Sequence, residues 1–289
     1  MTPLRQRMID AMQVRGLAAR TQQAYVTAVV GLARHYRCDP QQLDSVRVQA
    51  YLLHLIGERG LARSSVNQAG CAFRFLYHTV LDLETRVQVP LGKAEQRLPE
   101  ILSRAELARM FTCAAPGKPR TVLMTAYALG LRVSELCQLR VRDIDGAADR
   151  MCVHIVQGKG AKDRYVPLTP DTLQMLRHWW TLQRPRQWLF CAQSDRSLPL
   201  NEDSASRWFY AARADAGICK SGGIHTLRHC YATHLLESGV DLHTLSKWLG
   251  HRHVSTTMRY LHLARPDAPD GMRAAPLQLL SALGAVPAS

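Results

Sequence analysis

Apolar residues recur at helical spacing through the first ninety positions. Residues 4–14 form one such segment, ended near Gly16. A second, 21–36, sets Ala24, Tyr25, Ala28, Val29 and Leu32 on one face. Asp39-Pro40 has the form of an N-cap followed by proline at the first helical position. Residues 46–56 repeat the period and Gly60 closes them. Ser65-Val66-Asn67-Gln68 has capping-box form and predicts a helix onward through Phe73, Leu76 and Val80. These segments predict a small helical domain over residues 1–86. Residues 87–98 lose the period and hold Pro90 and Gly92, which predicts a linker.

Residues 99–289 form a second domain on this reading. It restarts with a capping box from Ser103 to Glu106. A helix ends near Leu129, before Gly130. Residues 152–156 and 164–168 alternate apolar and polar positions around Gly158-Lys159-Gly160-Ala161-Lys162-Asp163, a β-hairpin whose turn carries two lysines. Thr169-Pro170 caps a helix reaching Trp179 or Trp180, Trp188-Leu189-Phe190 reads as a short strand, and residues 201–214 as a helix. Gly222-Gly223 breaks the chain, and a last clear helix, 241–249, is closed by Gly250. The fold class is mainly α, with a small antiparallel sheet in the second half.

Length agrees with two domains: 289 residues is long for one core. A hydrophobic fraction of 47% against 21% charged residues excludes a disordered chain. No apolar run approaches the ~20 residues of a membrane span, and the N-terminus lacks a signal peptide's apolar core, so a cytoplasmic protein without a membrane partner is expected. The eight cysteines include no Cys-x-x-Cys pair, so reduced, structural thiols are expected.

The net charge of +14 points to a polyanion, most often nucleic acid. Of 37 basic residues 31 are arginine, a skew that GC-rich coding also produces, but coding bias does not explain the surplus over acids. Residues 1–98 hold 13 basic and 7 acidic side chains, residues 99–289 hold 24 and 16, so both halves are positive.

Chemistry concentrates in a few short motifs: Gly130-Leu131-Arg132-Val133-Ser134-Glu135-Leu136, then His225-Thr226-Leu227-Arg228-His229, then Leu249-Gly250-His251, then Tyr260. Two arginines, two histidines and a tyrosine are what metal-free attack on a phosphodiester requires. Guanidinium forks neutralise non-bridging oxygens, a phenol attacks phosphorus, and imidazoles hold the phosphate or move protons. Glu135, three residues after Arg132, either orients that arginine or a neighbour, or is an ordinary ion-pair partner. Zinc is not expected at His225, His229 and His234, for no acidic or cysteine partner stands at convincing spacing. His229 and His234 read as structural. No cofactor is expected, and Gly-Lys-Gly lacks the spacing and Ser/Thr of a P-loop.

Together these motifs resemble the signature set of the tyrosine recombinases, or phage integrase family, most closely its Xer-type and integron-type members. The resemblance covers the second half in order, and the helical first half resembles the family's core-binding domain more loosely. It implies the DNA breaking-rejoining fold and a site-specific recombinase. Arg132, Lys159, His225, Arg228, His251 and Tyr260 would be catalytic, with Tyr260 as nucleophile and a 3′-phosphotyrosyl intermediate. Lys159 would be the general acid, with Lys162 as the alternative. Tyr231, Tyr210 and Tyr165 are rivals to Tyr260, but Tyr260 alone stands nine residues after His251, the family spacing. The partners implied are double-stranded DNA sites and further copies of the chain, two per site and four in a synapse that passes through a Holliday junction. The amphipathic stretch 276–283 would dock on a neighbouring protomer or on its own domain. Lys159 and His225 stand 66 positions apart, room for the ordinary catalytic core without the insertion typical of integron integrases. Three other readings stay open: a type IB topoisomerase, a transposase of the same chemistry, and a catalytically silent DNA-binding regulator.

Overall fold

The computed structural model describes residues 2–83, 89, 91–92, 98–156, 163–251 and 253–264. The chain divides into two compact units, Met1–Arg97 and Leu98–Ser289.

The first unit is helical: α1 (Pro3–Val14), α2 (Ala19–Tyr36), a 3-10 turn at Pro40–Gln42, α3 (Ser45–Gly57) and α4 (Arg63–Arg74), which runs on as a π-helical segment at Phe75–Val80. Polar side chains start three of these elements. Thr2, Asp39 and Asp44 accept from the backbone N–H groups of Arg5, Gln41 and Arg47. Met12, Leu32, Val48, Phe73, Leu76 and Tyr77 fill the core, and the Tyr77 hydroxyl donates to the Pro40 carbonyl at 2.8 Å. The capping box expected at Ser65 does not form. The chain turns three residues earlier, and the Ala62 carbonyl accepts from both Ser65 and Val66 N–H. Asn67 instead exchanges two hydrogen bonds with the Gly92 backbone, at 2.6 and 3.0 Å. Val89 is buried nearby, and Arg74 donates to its carbonyl. The described residues of the expected linker 87–98 thus pack on this unit up to Gly92.

The second unit holds α5 (Arg104–Cys113), α6 (Lys118–Ala128), α7 (Val133–Cys137), strands β1 (Ile144–Asp145), β2 (Cys152–Ile155) and β3 (Arg164–Pro167), then α8 (Pro170–Gln183), α9 (Glu202–Asp215), α10 (His225–Glu237), α11 (Leu242–Leu249) and the single turn α12 (Ser255–Met258). The strands form one antiparallel sheet, β1-β2-β3, in which His154 faces Tyr165 and Val153 faces Val166. Ser103 and Glu106 form the expected capping box. Trp188-Leu189-Phe190 is not a strand: single bridges tie Arg140 to Trp188 and Cys191 to Pro199, and no ladder extends them. Leu189 and Phe190 are buried, each pinned by one backbone bond, from Leu189 N–H to Leu139 and from Leu200 N–H to Phe190.

The centre of this unit is α6 against α10. Every residue of α6 from Val122 to Ala128 is buried. Helix α10 is buried at Thr226, Leu227, Arg228, Cys230, Tyr231, Ala232, Thr233, His234 and Leu235, which covers all its faces. A helix enclosed in this way can carry charge inside only where partners wait for it, and Arg228 lies there. Among the described residues, no helix is long and apolar enough to cross a membrane.

Candidate active site

Four chain segments bring the motif residues together. Gly130 takes a positive φ of 56° where α6 ends, and a Cβ there would stand 2.3 Å from the Tyr231 ring, so the turn that delivers Arg132 admits only glycine. Arg132 precedes α7, whose first turn holds Glu135. Helix α10 supplies His225, Arg228 and His229. Gly250, in the left-handed conformation, closes α11 and turns the chain toward His251. Tyr260 follows α12 and is 2% exposed.

The Glu135 carboxylate is the hub. It accepts from Arg132 N–H at 2.8 Å and from Arg132 Nη1 at 2.6 Å. It also accepts from both terminal nitrogens of Arg164, at 2.8 and 2.7 Å, and Arg228 Nη1 lies 3.9 Å away. Burial alone would raise the Glu135 carboxyl; the hydrogen bonds and charge of Arg164, then those of Arg132, outweigh it and hold the group at about 2. Glu135 therefore orients Arg132 and pairs with a neighbour at the same time, so both readings of its spacing apply.

Arg164 was not among the expected site residues. It reaches in from β3, donates through Nε to the Trp248 carbonyl at 2.8 Å, and lies so close under Gly250 that a Cβ there would meet its Cδ at 2.7 Å. Its signal in the sequence was an arginine on the inward face of a strand, two residues before buried Val166. A buried charge of that kind demands a partner.

Arg228 is 5% exposed and spends its two terminal nitrogens on the carbonyls of Gly130, at 2.7 Å, and Leu249, at 2.5 Å. The second of these lies 3.2 Å from His251 Nε2. Arg132 Nη2 donates to the Gly250 carbonyl at 3.4 Å. Burial, then the charge of Arg132, lowers Arg228 to about 10, which leaves it cationic at neutral pH. Two guanidinium groups thus face the same turn.

His251 Nδ1 lies 2.7 Å from Oγ1 of buried Thr257, which no sequence motif marks. Burial, then Arg228 and Arg132, drops His251 to about 3, so it is neutral. Its ring stacks on Tyr260 at 6.3 Å between centroids and 12° between planes. The Tyr260 hydroxyl lies 3.0 Å from Nδ1 of His229. The sequence predicts a structural role for His229; the structure places it on the candidate nucleophile. Burial raises the Tyr260 phenol, and Arg228, Arg259 and Arg132 pull it back. His225, at the start of α10, is held below its ordinary value by the protein around its ring, then by Arg228 and Arg132.

Arg132, His225, Arg228, His251 and Tyr260 thus lie in one cluster, while Lys159 and Lys162 fall outside the described residues, as does the stretch 276–283. The rival tyrosines lie elsewhere. Tyr231 is fully buried with its hydroxyl unpartnered, and Tyr210 and Tyr165 are about half exposed on α9 and β3. His234 pairs with the Tyr127 hydroxyl at 3.0 Å in the core. Among the described residues no group of three His, Cys, Asp or Glu side chains is placed to hold a metal ion.

Residues 97–266 match the phage integrase family, and residues 4–86 match the phage integrase N-terminal SAM-like domain. The chain is 40% identical over 267 residues, 91% of its length and 85% of the relative's, to a putative integrase/recombinase of Sinorhizobium fredii. It is 32% identical over 228 residues to tyrosine recombinase XerC of Bacillus pumilus, covering 72% and 73% of the two chains. Its fold is shared with a lambda integrase dimer bound to a COC′ core site, at a TM-score of 0.69 and 19% identity over 88% of this chain and 93% of that one. The chain belongs to the phage integrase family and is a tyrosine-type site-specific recombinase.

Proposed function

We propose that this recombinase cleaves and rejoins DNA at the Arg132–Arg228 cradle, with Tyr260 as nucleophile. The observation that carries the reading is the convergence of Arg132, Arg228, His251 and Tyr260 from distant parts of the chain, with Arg132 fixed by Glu135 and Arg228 by the Gly130 and Leu249 carbonyls. A phosphodiester seated there meets two guanidinium forks already oriented. Because the pentavalent transition state carries more negative charge than the ground state, fixed cations stabilise it preferentially. Tyr260 attacks phosphorus and leaves a 3′-phosphotyrosyl link and a free 5′-hydroxyl. The link conserves the energy of the broken bond, so rejoining needs neither ATP nor metal. His225 holds the phosphate, His251 fixes the plane of the Tyr260 ring by stacking on it, and Lys159 protonates the leaving 5′-oxygen.

Residues 1–86 serve as the core-binding domain and 99–289 as the catalytic domain. Two protomers occupy each site and four form the synapse, which exchanges strands in pairs through a Holliday junction, in the cytoplasm. The basic surplus of both halves supports a clamp on DNA.

The test is recombination of a plasmid carrying two copies of a candidate site taken from the DNA flanking the gene. Inversion or excision that needs both sites supports the reading. Relaxation of supercoils on plasmids without the site, with no recombination, would instead favour a topoisomerase. Binding to the site should fall steeply between low and moderate salt, since phosphate contacts release counterions. Affinity that hardly changes with salt would remove the clamp.

A further inference from the structure

We propose that His229 is a catalytic residue of this recombinase, the one that receives the Tyr260 proton as the phenol attacks phosphorus. The inference rests on the proposed function and deepens it. Its geometric basis is the 3.0 Å approach of His229 Nδ1 to the Tyr260 hydroxyl, within the reach a proton acceptor needs.

The other histidines are less well placed. His251 has both ring nitrogens committed. Arg228 can only donate, so Nε2 accepts from it at 3.2 Å and the ring hydrogen sits on Nδ1, facing Thr257 Oγ1 at 2.7 Å. That leaves no lone pair for the phenol, and His251 contributes instead by stacking on the Tyr260 ring and fixing its plane. His225 lies one turn earlier on α10, while the phenol hydroxyl bonds to His229.

Chemical state agrees with the role. The groups facing His229 are His225 and Arg228 from α10, and Arg259 and Tyr260 from the segment after α12. Burial, then His225, Arg228 and Arg259, lowers His229 to about 4, so at neutral pH it is uncharged. In its Nε2–H tautomer it presents a lone pair at Nδ1. The resting imidazole is too weak a base to strip the phenol beforehand, so transfer is concerted with attack. A phosphodiester anion in the cradle offsets the nearby arginine charges and makes His229 more basic when the proton moves.

The step balances. The Tyr260 O–H bond breaks, the proton passes to His229 Nδ1, and the Oη–P bond forms. The P–O5′ bond then breaks, and its oxygen takes a proton from the general acid of the proposed function, Lys159. In rejoining, the 5′-hydroxyl attacks and gives its proton back to Lys159, and Tyr260 leaves with the proton returned by His229.

The test is the single-turnover rate of covalent adduct formation on a nicked suicide substrate, for wild type, His229→Asn and Lys159→Ala. Asparagine keeps an acceptor near the Nδ1 position and removes the titratable base. Each protein is run on a normal substrate and on one with sulfur at the bridging 5′ position, whose thiolate leaves without a proton. His229→Asn should slow cleavage by roughly 100-fold or more on both substrates, while the sulfur substrate should relieve Lys159→Ala. Cleavage by His229→Asn within about threefold of wild type would overturn the inference alone. No adduct with wild type would overturn the proposed function and this inference with it. Should His229→Asn fail to fold, the ¹⁵N resonances of histidine-labelled wild type decide. An Nε2–H tautomer whose Nδ1 signal shifts in Tyr260→Phe supports the role. An Nδ1–H tautomer at His229 refutes it, because that nitrogen would already be donating.

Discussion

Arg164→Met should destabilise this protein by breaking the ion-pair hub under the candidate site. The substitution removes two hydrogen bonds to Glu135 and one to the Trp248 carbonyl, in a place where both ionic side chains are 6% exposed. Breaking a buried pair by deleting one partner costs about 3–5 kcal/mol, because the other charge is left without compensation. Glu135 keeps Arg132, so the lower end applies, about 3 kcal/mol. For a unit of this size the melting temperature should fall by roughly 6–12 °C. The assay is thermal and urea unfolding of wild type, Arg164→Met, Glu135→Leu and the double variant. The double variant should lose at least about 1 kcal/mol less than the sum of the singles, since it leaves no unpaired carboxylate. The pH dependence has a fixed sign. A depressed carboxyl stabilises the fold above its unfolded value, near 4.5, and loses that contribution as pH falls through about 2. The gap between wild type and Glu135→Gln should therefore hold down to about pH 4.5 and close toward pH 2. An Arg164→Met protein within about 0.5 kcal/mol of wild type, or strict additivity in the double variant, would refute the hub.

Four further outcomes follow from the same geometry. Arg132→Lys should bind site DNA and lose most cleavage, because an ammonium cannot engage Glu135 and a phosphate as a planar fork; near-normal cleavage would remove Arg132 from the cradle. Tyr231→Phe should cleave normally and be as stable as wild type or slightly more so, since its buried hydroxyl has no partner; lost cleavage in a folded protein would revive Tyr231 as a rival. Gly130→Ala should yield a protein destabilised by several kcal/mol, because the added methyl would meet the Tyr231 ring at a positive φ; an unchanged melting temperature would contradict the packing described. Burial, then Arg104, drops His234 to about 3, so its neutral state is favoured in the fold, and stability should fall as pH drops from about 6.5 toward 3. His234→Asn should flatten that slope, and an unchanged slope would place its cause elsewhere.

Legibility in the sequence followed physical range. Helices with a one-sided apolar period and a polar cap, such as Ser45–Gly57 behind Asp44 or Leu242–Leu249 between Asp241 and Gly250, could be read nearly to the residue. Helix α10 has almost no amphipathic period because it is buried all round, and only its motif announced it. What failed depended on partners remote in the chain. Trp188-Leu189-Phe190 has strand composition but makes a single bridge, Trp188 to Arg140, that no ladder extends. Ile144–Asp145 is a strand of two residues that exists only because Val153 and Cys152 lie opposite. Arg132, Arg228, His251 and Tyr260 were legible because the chemistry of phosphodiester attack names their types. Arg164, Thr257 and the contact of His229 with Tyr260 were not, since each acts through a contact made only in the fold.

The central claim is that Tyr260 is the nucleophile. Its most direct measurement is covalent trapping on a nicked suicide substrate built from the flanking DNA, followed by denaturing electrophoresis and peptide mapping. Wild type should give a denaturant-resistant adduct that maps to the peptide holding Tyr260, and Tyr260→Phe should bind the same DNA and give none. An adduct that persists in Tyr260→Phe, or maps to another residue, would contradict the account.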